Sequence, residues 1–157
     1  GKQGKCFLVE LEGAAGDGEA PAVLKELSGG GRHAYRAEVR SLAQLAGTRA
    51  AAAGRVPRLL GAREKDRHVL MTYFAGAAVP DLDMAPALRG GAACRLAWAL
   101  QSWLQVAEAL EEAHAAGVVH CDVNPWNVLA AHGEEAGGGA PAAAAAACLV
   151  DWACARA

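Results

Sequence analysis

Apolar residues fall in short runs along most of this chain, separated by polar or Gly-rich stretches. Residues 6–11, "CFLVEL", are apolar and β-prone and predict a strand. The acidic, Gly-rich turn "EGAAGDGEA" leads into "PAVLKEL" (21–27), a second short strand, so the two predict a hairpin. After "SGGGR", the stretch "HAYRAEVRSLAQL" (33–45) sets Ala34, Ala37, Leu42 and Leu45 near helical spacing, with Glu38 and Arg40 between them, and predicts a helix. "GTRAAAAGR" reads as a connector. "VPRLLGA" and "RHVLMTYF", on either side of the polar turn "REKDR", predict a further hairpin.

The pattern then changes. "AGAAVPDLDMAPALRGGAA" is rich in Gly, Pro and Ala and reads as a linker. Residues 96–114 carry the strongest helical signal. Leu100, Trp103, Leu104, Ala107 and Leu110 stand at offsets 0, 3, 4, 7 and 10, one face of a helix, with Glu108, Glu111 and Glu112 as its polar positions. Gly117 is placed to cap its C-terminus. The apolar pieces "VVH" and "NVLA" flank a polar loop. "AHGEEAGGGAPAAAAAA" is of low complexity and reads as a solvated loop, and "CLVDWA" is a last short strand. Strands followed by a helix-led half predict an α+β class with two lobes. No internal repeat is evident.

Composition narrows the class of partner. The chain has 157 residues, which suits one domain or a piece of a larger one. It opens at Gly1 without a Met and closes on "DWACARA", so both ends read as cut. The formal net charge is -2 and the pI about 6.2, with no basic excess of the kind that draws nucleic acid or a membrane surface. Hydrophobic residues make up 54%, but Ala supplies roughly a quarter of the chain, so the core depends on few large side chains. The five cysteines form no C-x-x-C pair; they read as reduced thiols of an intracellular, cytoplasmic protein. No secretory signal is visible, and no apolar run reaches the roughly 18 residues that span a bilayer.

The chemistry-bearing stretch is "VVHCDVNPWNVLA" (118–130). Asp122 is acceptor-only when ionised, and Asn127 offers both an oxygen and an amide. In a loop stiffened by Pro125, one can address a hydroxyl and the other a metal ion. Asp151 ends an apolar strand and would be a hard-oxygen ligand for Mg²⁺. His120 fits a structural role, bonding backbone to hold the loop. The same residues also suit a polar turn in which Asp122 caps its neighbours. Lys25, in the apolar strand "AVLK", is either a solvated strand end or the partner of a buried anion, for which Glu38 on the next helix is the candidate. Taken alone, each is more often a surface residue. "GKQGK" places Gly1 and Gly4 before a strand, where backbone N–H groups can approach phosphates, although a lone G-x-x-G is usually a turn.

Taken in order, these segments resemble the protein kinase-like superfamily along essentially the whole chain. "GKQGKCFLVEL" is similar to the end of the Gly-rich loop and its following strand, and "AVLK" to the V-A-I-K strand. Glu38 in "EVRSL" matches the helix C glutamate. "HVLMTYFAG" resembles the fifth strand and hinge, with Met71 at the gatekeeper place. "ALEEAHAAGVVHCDVNPWNVL" resembles the long helix and the H-R-D-x-x-x-x-N loop, and "LVDWA" the strand ending in Asp-Phe-Gly. The resemblance implies a bilobal fold. Residues 1–76 would form an N-lobe with an antiparallel sheet and helix C, and 77–157 an incomplete helical C-lobe.

It implies ATP-dependent phosphoryl transfer to a hydroxyl of a protein or a small molecule, with ATP and Mg²⁺ as cofactors and no nucleic acid. Gly1, Gly4, Cys6, Ala22, Lys25, Glu38, Met71, Thr72 and Phe74 would surround the nucleotide. Asn127 and Asp151 would bind Mg²⁺. Asp122 would take the hydroxyl proton, with Lys25 and Asn124 as its catalytic companions.

Three departures bear on which kinase is implied. Cys121 replaces the Arg that couples the catalytic loop to a phosphorylated activation loop. Asn124 stands where Ser/Thr protein kinases carry Lys; it could still donate a neutral hydrogen bond to the transferred phosphate. Ala153 replaces the Gly of Asp-Phe-Gly, and the sequence stops soon after Asp151, before any A-P-E segment. The first reading is a Ser/Thr-type protein kinase. The others are an aminoglycoside- or choline-kinase-like small-molecule phosphotransferase and an inactive pseudokinase that serves as an interaction module. The resemblance also implies exposed apolar surface.

Overall fold

A computed structural model describes residues 4–11, 21–27, 31–82, 92–131 and 146–156. The strands are β1 (Lys5–Glu10), β2 (Pro21–Glu26), β3 (Leu59–Arg63), β4 (His68–Thr72), β5 (Ala77–Ala78), β6 (Val128–Ala131) and β7 (Ala146–Leu149). The helices are α1 (Gly31–Leu45), α2 (Arg49–Ala52), α3 (Val79–Leu82) and α4 (Ala92–Ala115), with 3-10 turns at Pro125–Asn127 and Trp152–Cys154. The class is α+β.

The strands form two antiparallel sheets. The first has the order β1-β2-β4-β3 and is drawn wholly from residues before 76; the second, β5-β6-β7, is drawn wholly from residues after it. Both expected hairpins are present, β1 with β2 and β3 with β4. β2 lies inside the first sheet, with Lys25 opposite Cys6 on one side and Val69 on the other. α1 packs against β3, β4 and the Trp152–Cys154 turn. It buries Leu42 and Leu45 but also Glu38. One apolar cluster joins the parts. Leu27, Leu42 and Val69 come from the first half, and Val106, Val128, Leu149 and Trp152 from the second.

Four expectations are corrected. The "GTRAAAAGR" connector contains α2. Thr48 caps it, its Oγ1 accepting the Ala51 N–H at 3.2 Å, and Glu112 of α4 accepts the Ala50 N–H at 2.7 Å. Arg49 to Glu112 and Arg55 to Glu108 are ion pairs between this segment and α4. The expected linker holds β5 and α3, while residues 83–91 lie outside the described set. The Ala run ends inside β7 at Ala146 and Ala147; the rest of that expected loop, 132–145, also lies outside it.

The fourth correction concerns α4. Its C-terminus closes as expected: Gly117 has φ 78°, its N–H bonds the His114 carbonyl at 2.9 Å and the Val118 N–H bonds Ala113 at 2.8 Å, a Schellman cap. The buried face, however, is Ser102, Val106, Ala109 and Ala113; of the expected face Leu110 packs against the core, whereas Leu100 (62% exposed), Leu104 (60%) and Trp103 (39%) are turned outward. Ala109 and Ala113 are small, and β7 packs on this helix, where Gln105 Oε1 accepts the Ala147 N–H at 3.0 Å. Close approach of a helix to a strand selects small residues over large ones.

Candidate active site

The two halves of the sequence meet around a cavity of about 730 Å³. On one wall stands Lys25. β-strand alternation turns it to the same face as Val23, and α1 brings Glu38 to meet it. Lys25 Nζ lies 2.9 and 2.7 Å from the two carboxylate oxygens of Glu38, and 2.7 Å from Oδ1 of Asp151. The Lys25 and Glu38 side chains are 7% and 1% exposed, so this is a buried pair, while Asp151 is 24% open. Of the two readings left open for Lys25, the geometry selects the buried anion partner.

Burial works to lower the Lys25 pKa, but the carboxylates of Glu38 and Asp151 outweigh it and hold the ammonium above its ordinary range. Burial pushes the Glu38 carboxyl up, against the downward pull of Lys25 and of a hydrogen bond from the Trp152 backbone. That backbone bond ties Glu38 to the turn carrying Asp151. Asp151 itself adopts φ 63°, ψ 68°, the left-handed region that Asp tolerates better than most residues.

Residues 118–127 form the opposite wall. His120 is 1% exposed. Its Nδ1 accepts the Asp122 N–H at 3.2 Å, so Nε2 carries the proton and donates to the Val150 carbonyl at 2.9 Å. Its ring stands edge-on to Trp152 at 4.5 Å. Burial lowers its pKa, with Val150, Asp151 and Asp122 offsetting part of the effect. His120 therefore fixes the loop to the strand end that bears Asp151.

Asp122 is held by both asparagines. Asn127 Nδ2 donates to its Oδ2 at 3.0 Å, and Asn124 Nδ2 to its Oδ1 at 3.1 Å; both also bond its carbonyl. Asn124 Oδ1 meanwhile accepts the Trp126 N–H at 2.9 Å. This corrects the expected role of Asn124. Its two amide hydrogens are spent on Asp122 and its oxygen on Trp126, so it positions the loop and has no hydrogen left for a phosphate. Cys121, just before Asp122, has φ 66°, a left-handed conformation that costs a residue with a Cβ about 1–2 kcal/mol.

The remaining expected residues distribute as follows. Gly4, Cys6, Met71, Thr72 and Phe74 line the cavity. Gly4 is also required by packing, because a Cβ there would sit 2.6 Å from the Glu26 carbonyl oxygen. Ala22 is corrected: it is buried but is not a lining residue, and Val23 is. The period of two along β2 puts Val23, not Ala22, on the face of Lys25. Gly1 lies outside the described residues.

Sequence reasoning missed Val23, Gly76, Leu129 and Trp126 as lining residues. Val23 carried a signal, since it stands two positions from Lys25 in a strand. Gly76 is set by packing: a Cβ there would meet the Ala130 carbonyl oxygen at 2.6 Å, a close crossing of chains.

Among the described residues, Lys25 is the one cationic lining side chain, against Glu38, Asp122 and Asp151. An anionic ligand would therefore enter together with a cation. No group of three or more His, Cys, Asp or Glu is placed to hold a metal among the described residues. The hard oxygens of Asp151 and Asn127 do fit Mg²⁺, which takes one or two protein ligands and completes its shell with phosphate and water. Among the described residues no helix is long and apolar enough to cross a membrane. Compared with protein-family models and with curated proteins, the chain matches none.

Proposed function

We propose that this chain forms the nucleotide site of a protein kinase-like phosphotransferase, which passes the terminal phosphoryl group of ATP to a hydroxyl. In this reading the two sheets belong to two lobes, divided near residue 76. The observation that carries it is Lys25 held at once by Glu38 and Asp151, across a cavity from an Asp122 held by two asparagines.

ATP phosphates would take the place of Asp151 at Lys25, while Glu38 keeps Nζ aimed. The adenine would lie against Met71, Thr72 and Phe74, with Val23 and Leu129 on its faces. Asp151 and Asn127 would hold Mg²⁺, whose chemistry is to neutralise charge on the phosphates. Asp122 would accept the proton of the attacking hydroxyl; its two Asn donors keep the carboxylate in one orientation. Positioning and charge supply most of the rate in such a site.

Between the acceptor classes, the engaged amide of Asn124 favours the small-molecule reading. The acceptor side presents no free cation for the transferred phosphate among the described residues.

Binding is tested first by thermal shift with ATP and Mg²⁺, which should raise Tm; no shift at millimolar ATP would sink the proposal. Asp122→Asn should keep that shift and cut turnover by roughly 10²–10⁴. Undiminished turnover would remove Asp122 from its role.

A further inference from the structure

Trp126 is 63% exposed, yet it lines the same cavity as Asp122. It is not a core residue misplaced by the fold: Trp152, fully buried, fills that role nearby. Nor does its ring hold the loop. The Pro125–Asn127 turn is held by hydrogen bonds that do not involve the Trp126 side chain: Asn124 Oδ1 takes the Trp126 N–H, and the Asn127 N–H bonds the Asn124 carbonyl at 3.0 Å. Asn124 is bonded to Asp122 as well, so one side chain fixes the indole-bearing backbone and the Asp122 carboxylate as a single body. A large flat apolar surface is thus kept open and in register with one carboxylate.

We propose that Trp126 is the platform on which the acceptor lies, and that the acceptor is an aromatic alcohol without an acidic group. This rests on the phosphotransferase reading above. The chemistry follows from what the wall offers. Asn124 and Asn127 spend their amide hydrogens on Asp122, so among the described residues of this wall the Asp122 carboxylate is the group that receives a hydroxyl, one rather than the several of a sugar. Beside it is an indole face, which an aromatic ring covers in an offset stack. Asp122 repels an acidic acceptor, and Lys25, held by Glu38, is given to the ATP phosphates in that reading. In the transfer, the acceptor oxygen forms a bond to the terminal phosphorus of ATP and the bond from that phosphorus to the bridging oxygen breaks. ADP leaves, and the hydroxyl proton passes to Asp122.

The experiment uses ATP and Mg²⁺ with three probes: tyrosol, 1-butanol and a short tyrosine peptide. The expected result is transfer to tyrosol in preference to 1-butanol. Trp126→Ala should raise the KM for tyrosol about tenfold, with kcat changed much less, and Trp126→Phe should recover most of the loss. ATP binding by Trp126→Ala checks that it is folded. Transfer to the peptide alone, with the same Trp126→Ala loss, supports the platform and makes its aromatic alcohol a protein side chain. An unchanged KM in Trp126→Ala, or equal use of 1-butanol, overturns the inference. So does a wild-type protein that binds ATP but phosphorylates no aromatic probe, a result that leaves the phosphotransferase reading standing. A wild-type protein that binds no ATP overturns both.

Discussion

The helices α1 and α4 depart from simple amphipathic patterning in opposite directions. α1 turns a carboxylate inward: Glu38 is 1% exposed, beside Leu42 and Leu45. α4 turns Leu100, Trp103 and Leu104 outward and packs through Val106, Ala109 and Ala113, with Leu110 partly buried beside them. The first exception is answered inside the chain, because Lys25 on β2 and the Trp152 backbone N–H meet Glu38. The second has no such answer among the described residues. A buried charge carries a desolvation cost that its partners must offset, and such pairs cluster at functional sites. An exposed Leu is ordinary surface by comparison.

The largest effect should come from removing one half of the buried pair. Glu38→Leu leaves Lys25 with only Asp151, and a cost of about 3–5 kcal/mol is expected in denaturant melts. Adding Lys25→Met should recover much of that loss while abolishing ATP binding. If the double variant is no better than Glu38→Leu alone, the cost lies in packing and not in the charge. The pair also has a pH signature. The folded-state pKa of Lys25 is raised above its ordinary 10.5, so the folded protein binds the extra proton above that pH. Its contribution is therefore fully present below pH 10.5 and is lost as pH rises through the folded value. Tyr35, raised by burial, acts in the same direction at neighbouring pH. The measurement is the difference between wild type and the double variant: the wild-type protein should lose stability more steeply above pH 10.5.

Next in size is the inner face of α4. Ala113 is fully buried, and Ala113→Leu should cost about 1–3 kcal/mol by overpacking. A neutral result would mean that the small face tolerates large residues, and the account given for its choice would fail. Cys121→Gly should act the other way. Its φ of 66° suits glycine, so a gain of about 1 kcal/mol in thermal or denaturant unfolding is expected. A loss would show that the thiol, which lies 3.5 Å from the Val119 carbonyl, matters more than the backbone.

The same contrast separates what could be read from the sequence from what could not. α1, α4 and both hairpins of the first sheet follow from apolar periodicity and turn residues. α2 escaped because "RAAAAG" has no apolar pattern; its helix depends on the Thr48 cap and on Glu112, some sixty residues away. The face of α4 was misread for a physical reason. Two stripes of 3.6-residue period run along it, and the one with larger side chains is not the one that fits against β7. In the site, Lys25, Glu38, Asp122, Asn127 and Asp151 were legible as residue types, but their distances were not. Asn124 was assigned a phosphate contact because a side chain's spent hydrogen bonds cannot be seen in a sequence. Trp126 was passed over because an exposed aromatic in a loop carries no pattern at all.

The smallest effect tests the outward half of the comparison. Leu100 and Leu104 stand four residues apart on α4 and are 62% and 60% exposed. Most of their apolar area is already in water, so Leu100→Gln and Leu104→Gln should each change stability by less than about 0.5 kcal/mol. Gln is as good a helix former as Leu, which removes propensity as a competing cause. Being neighbours, the two could couple, so the double variant decides. If it stays within about 1 kcal/mol of wild type and is more soluble, these leucines contribute little to the fold and the helix is held by its small face alone. If it costs several kcal/mol, the stripe is covered in solution, and α4 would resemble α1 after all, with its exception answered by packing that its exposure conceals.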